Sequence, residues 1–160
     1  MDYQNVQDSV DKVLRENYIL DPPVNIQDLI SNYGLTLQEI DFGTYKSSVS
    51  GFLDFEKKAI YVNKDDSDVR KIFTAAHELG HWILHKNDFD KDPSKYSVFY
   101  RRPLGQYEDN KYEKEANYFA AHLLVPKEFL DKYKDLDIKT KAIIFGVSSE
   151  VIGYRTKDGN

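Results

Sequence analysis

His77-Glu78-Leu79-Gly80-His81 carries the residue types and the spacing for metal chemistry. Residues four apart on an α-helix lie about one turn, or about 6 Å, apart on one face, offset by about 40°. Two imidazoles so placed can share one divalent ion. Glu78 is rotated off their line, close enough to reach a water at the ion's open position without being a ligand. Zinc lowers the pKa of such a water toward about 7, and a neighbouring carboxylate can take its proton. With 4 His in 160 residues, the pattern arises by chance about 0.5% of the time, so its context has to add weight. Phe73-Thr74-Ala75-Ala76 before it and Trp82-Ile83-Leu84 after it provide a buried flank.

A catalytic zinc site needs three protein ligands and one open position. The chain contains no cysteine, which excludes disulfide scaffolds, cysteine zinc ribbons, iron–sulfur ligation and thiol nucleophiles. The third ligand is therefore His, Asp or Glu. The best candidates lie at Glu113-Lys114-Glu115-Ala116-Asn117, on a helix expected from Lys111 to Leu124. Glu113 and Asn117 share a face there, so Asn117 could hydrogen-bond a ligand from behind. Glu115 lies about 200° from Glu113 and reads as a solvated charge. His85 reads as a histidine at the C-terminus of its helix, near the negative end of the dipole, or else as an extra ligand. His122 is a candidate for an oxyanion or substrate contact, with a packing role as its rival.

The elements that must position these residues are short. Val6, Val10, Val13 and Leu14 mark a first helix, and Ile26, Leu29, Ile30 and Tyr33 a second, ended at Gly34. Leu35 to Ile40 alternates like a strand. Gly51–Phe55 and Ala59–Asn63 flank a charged turn as a hairpin. Asp65 to Asp68 should start the helix that carries the motif, running from about Val69 to His85. Residues 87–110 read as a long loop bearing Tyr96, Tyr100 and Tyr107, whose phenols could polarise a carbonyl or whose movement could gate a cleft. Residues 127–160 read as a helical C-terminal part with a helix–Gly146–helix pattern. The whole predicts a single α+β domain over 1–160 with a small antiparallel or mixed sheet and a C-terminal helical cap.

His77-Glu78-Leu79-Gly80-His81, followed about 30 residues later by Glu113-x-x-Ala116-Asn117-x-Phe119-Ala120-Ala121-x-Leu123-Leu124-Val125-Pro126, resembles the ImmA/IrrE family of metallopeptidases. Ser50-Gly51, Ile60-x-Val62-Asn63 and Phe145-Gly146-Val147-Ser148 match its pattern too, so the resemblance spans about Pro22 to Arg155. It implies a zincin-like endopeptidase that cleaves helix-turn-helix (Xre-type) repressors to switch on phage, mobile-element or stress genes. Carried over residue by residue, His77, His81 and Glu113 match the metal ligands and Glu78 the general base. Val125-Pro126 stands where the family often has Met-Pro, and the 87–110 connection is long. No Xre-type DNA-binding segment is recognised, so the repressor is expected to be a separate protein. Zinc is the expected ion, with manganese or iron also suited to two histidines and one carboxylate. By analogy with zincin-like folds, the hairpin strand Ala59–Asn63 is expected to lie beside the cleft as the edge strand that binds substrate backbone.

Charge supports a protein partner over a nucleic acid. Lys plus Arg is 22 and Asp plus Glu is 27, for a net charge of −5. Residues 127–160 carry 7 basic and 6 acidic side chains, too little to grip phosphates unaided. No targeting segment and no apolar run near the roughly 20 residues of a membrane span is present, and the expected location is the cytoplasm. A rival reading keeps the fold but leaves the site idle, as a metal-binding regulatory module that acts by binding a partner protein or DNA. An intact Glu78 argues against it, because a structural site needs no base.

Overall fold

The valines of the first segment do form one face of a helix. Val6, Val10 and Val13 are the buried residues of α1 (Gln4–Glu16). The computed structural model describes residues 3–45, 49–92 and 111–157. Asn25 caps α2 (Ile26–Asn32) by accepting from the Asp28 N–H, which satisfies one of the helix's orphan donors. Three strands follow: β1 (Thr36–Ile40), β2 (Gly51–Asp54) and β3 (Ala59–Asn63). Asp54 closes the hairpin turn by accepting from the Lys57 N–H at 2.9 Å.

The strand order is β1-β3-β2, with β1 parallel and β2 antiparallel to β3. The sheet is thus mixed. Ala59–Asn63 is its central strand, which corrects the expectation that it forms the edge. Its neighbour on the far side is β1, brought in by a non-local parallel pairing that hairpin patterning cannot show. Among the described residues, the edge strands are β1 and β2. In keeping with its central place, β3 is buried at four of its five positions.

The motif helix, α3, runs Asp68–Lys91. It extends past His85 into residues read from sequence as loop. Aromatic packing explains the extension, because Phe89 stacks on Phe55 at 4.4 Å and Phe55 in turn stacks on Trp82. Tyr112 also donates to Asp88 from the next helix. That helix is α4 (Lys111–Leu124), and its packing against α3 is the largest contact between two elements of the fold. Gly80 permits the close approach: a Cβ there would meet the Phe119 side chain at 3.0 Å. Gly51 does the same for the sheet, since a Cβ would meet Thr74 Cγ2 at 2.5 Å. Two missing side chains therefore press α4 and β2 onto the helix that carries the histidines.

The chain finishes with α5 (Lys127–Lys132), α6 (Ile138–Phe145) and α7 (Ser149–Lys157). They are not a separate unit with its own core, because Phe145, Val147 and Ile152 belong to the same buried cluster as Leu79 and Phe119. The buried Arg155 ties α7 to the end of α4 by donating to the Val125 carbonyl at 3.0 Å. Among the described residues, no helix is long and apolar enough to cross a membrane.

Candidate metal centre

His77 and His81 are neighbours along α3, and the α3–α4 contact brings Glu113 from the first turn of α4 against both. His77 Nε2 lies 3.2 Å from Glu113 Oε2, and His81 Nε2 lies 3.2 Å from Glu113 Oε1. The two Nε2 atoms are 3.0 Å apart. Three donors bound to one tetrahedral zinc at 2.0–2.1 Å would stand about 3.3 Å from one another. The triangle of donors is close to that size, and its chemistry of two imidazoles and a carboxylate suits zinc. The residues present therefore fit a divalent ion. Among the described residues, His77, His81 and Glu113 are the group that could hold one.

The electrostatics of the donors interlock. Burial alone would lower the His77 pKa, but the hydrogen bond to Glu113 and the charges of Glu78 and Glu113 outweigh it and raise that pKa above the usual histidine value. Burial lowers the His81 pKa. Burial would raise the Glu113 pKa, but hydrogen bonds from both histidines hold it far below the ordinary carboxylate range. A proton shared by His77 and Glu113 is thus what a bound cation would replace.

Glu78 stands apart from the triangle. It is buried, and the Leu53 backbone N–H of β2 approaches its carboxylate. Burial raises its pKa to about 7, against the pull of neighbouring His77. A carboxyl poised there can both take and return a proton near neutral pH.

The remaining residues fall into three groups. Asn117 sits behind His77, with its Oδ1 2.9 Å from His77 Nδ1. With an ion in place of the shared proton, the His77 ring proton would stand on Nδ1 and donate to Asn117 Oδ1, leaving Nε2 for the ion. His85 is not a helix-terminal histidine, because α3 continues to Lys91. It is 2% exposed, with Nδ1 3.0 Å from His81 Nδ1 and Nε2 3.1 Å from Glu115 Oε2. Burial, with His81 beside it, lowers its pKa to about 4, so it is neutral at physiological pH. Glu115 is correspondingly not a solvated charge: its side chain is 14% exposed and also meets Lys111. A glutamate side chain is long and flexible enough that two α4 positions about 200° apart can both reach α3.

His122 is placed elsewhere. It is buried, stacks on Tyr118, donates from Nδ1 to Gln7 Oε1 (2.7 Å), and accepts at Nε2 from Arg155 (2.8 Å). The structure joins it to a polar cluster between α1, α4 and α7, and not to the donor triangle. Tyr96, Tyr100 and Tyr107 lie outside the described residues. Sequence reasoning missed the partnership of His85 with Glu115. A signal was present in the i, i+4 repeat His77-His81-His85, which puts three imidazoles along one stripe of α3.

The fold and site together define a chain with a helix-borne centre of two histidines and one carboxylate, a neighbouring buried glutamate, and a small mixed sheet against that helix. The chain belongs to the Peptidase_M78 family, whose IrrE N-terminal-like domain matches residues 30–157. It is similar to "Uncharacterized immunity region protein 2" of Bacillus phage phi105, at 32% identity over 110 residues, or 64% of this chain and 63% of that protein. A structure described as a Mycobacterium tuberculosis transcriptional regulator superposes with a TM-score of 0.67 at 16% identity. The superposition covers 95% of this chain and 55% of the other, so this chain corresponds to little more than half of that structure, and the likeness is one of fold.

Proposed function

We propose that this chain is a zinc-dependent, zincin-like endopeptidase of the cytoplasm. Its substrate is a separate helix-turn-helix (Xre-type) repressor, and cleavage relieves repression of phage, mobile-element or stress genes. The observation that carries the reading is the meeting of His77, His81 and Glu113 from two helices beside the buried Glu78, in a chain of the M78 peptidase family. Similarity to a phage immunity-region protein supports a repressor as the target.

His77, His81 and Glu113 would hold the ion. When bound, it supplies Lewis acidity that polarises the scissile carbonyl and makes a water nucleophilic near neutral pH. Glu78 takes a proton from the attacking water as its oxygen bonds to the carbonyl carbon. The same carboxyl then gives that proton to the departing amine nitrogen as the C–N bond breaks. The pKa of about 7 suits Glu78 to both halves of this exchange. The substrate backbone lies along β2, the edge strand whose Leu53 N–H already approaches Glu78. Asn117 keeps His77 in the tautomer that faces the donors.

The reading is tested by incubating the zinc-loaded chain with the repressor encoded beside its gene and weighing the products by intact-mass spectrometry. Two fragments whose masses sum to the repressor plus one water are expected. A repressor left whole by fully loaded protein would sink the proposal.

A further inference from the structure

The polar chain that starts at His81 does not end at the donor triangle. His81 presents Nε2 to His77 and Glu113, and an ion bound there would take the Nε2 lone pair in place of those contacts and leave the imidazole proton on the other nitrogen. With the ion held, His81 Nδ1 would carry the hydrogen and donate to His85 Nδ1, 3.0 Å away. An accepting Nδ1 leaves the His85 ring proton on Nε2. That N–H points at Glu115 Oε2, 3.1 Å away, and a carboxylate can only accept. Lys111 faces the other oxygen, Glu115 Oε1, at 3.5 Å. With an ion on His81 Nε2, one arrangement of protons satisfies every member of the series.

Burial makes the series more than incidental. His85 is 2% exposed, where an imidazole with an unmet nitrogen would be costly and an aliphatic residue would pack without penalty. Both of its nitrogens are occupied by the two groups just named. The series also clasps the same two helices that form the triangle, since His81 and His85 stand on α3 while Glu115 and Lys111 stand on α4.

We propose that His85 and Glu115 are positioning residues for the metal centre: Glu115 orients His85, and His85 fixes the tautomer and ring plane of His81. They touch neither substrate nor ion. The inference rests on the reading of His77, His81 and Glu113 as metal ligands, but not on the chain being an active peptidase. Such outer partners change metal affinity by about 10–100-fold.

The test uses the full chain and zinc alone, with affinity measured by competition against a chromophoric chelator. H85F fills the space but offers no acceptor, and it is expected to bind zinc about 10–100-fold more weakly. H85Q restores an oxygen that can accept from His81 and should recover most of the loss. E115Q keeps the shape but removes the charge, and it should fall between wild type and H85F. In nitrogen-15 NMR of the zinc-loaded wild type, the His81 proton should sit on Nδ1. Zinc affinity of H85F within about twofold of wild type would overturn the proposal, as would a proton on His81 Nε2. A loss in H85F that glutamine does not recover would mark mere packing, or His85 as a ligand itself, and would also overturn it. Should H85F fail to fold, E115Q decides alone, because Glu115 lies nearer the surface. Because no substrate is present, ordered affinities without repressor cleavage would reject the peptidase reading only. Cleavage by wild type with unaltered affinity in H85F would reject the positioning role only.

Discussion

Replacing Glu78 with glutamine is expected to leave one metal ion per chain and to lower repressor cleavage by about 10²–10⁴-fold, the range of a lost general base. Glutamine matches the shape of glutamate, and its amide oxygen can still meet the Leu53 N–H. What disappears is the ability to take a proton from water and pass it on. The side chain is 7% exposed, so the native carboxylate is charged at the expense of burial. Glu78→Gln should therefore melt at the same temperature as wild type or a little higher. Kinetics and a thermal melt on one sample separate the two effects: activity falls while stability does not. A variant that cleaves at the wild-type rate removes Glu78 from the mechanism.

Glu113→Ala is expected to lose the ion outright, a loss larger than the ~10–100-fold that an outer partner causes. Glu115→Ala should keep metal with weakened affinity. Metal analysis of both purified variants checks this, and metal missing only from Glu115→Ala would reverse the assignment. The metal-free proteins offer a second reading of the same pair. Glu113 is depressed below its unfolded value of 4.5, so its contribution is present above that pH and lost as pH falls. His77 is raised above 6.5, so its contribution is present below that pH and lost as pH rises through the higher folded value. The pair therefore supports the metal-free wild type most between about pH 4.5 and 6.5, and the melting difference from Glu113→Ala should peak there.

The line of His77 and His81 on one face of α3, Glu78 beside them, and the contact between His77 and Asn117 were legible because helical period sets which residues share a face. Spacing along α3 places two imidazoles in line, and spacing along α4 places Asn117 one turn from Glu113. The hairpin β2–β3 was legible for a similarly local reason, an alternation of apolar residues around a charged turn. What stayed hidden depends on contacts between distant segments. The parallel pairing of β1 with β3 makes Ala59–Asn63 central, and no local pattern records it. The end of α3 is set by Phe89 stacking on Phe55, residues separated by most of the strand and helix between them. His85 looked like a helix-end residue because its partner Glu115 arrives only when α4 docks. His122 likewise takes its role from Gln7 and Arg155, near opposite ends of the chain.

We propose that one divalent ion, held by His77, His81 and Glu113, makes this chain a hydrolase. Stripping the metal with a chelator and titrating zinc back while following repressor cleavage tests it most directly. Cleavage should vanish on stripping, return in proportion to added zinc and level off at one ion per chain. Full cleavage by the stripped protein, or no recovery once one ion is bound at that centre, would contradict it.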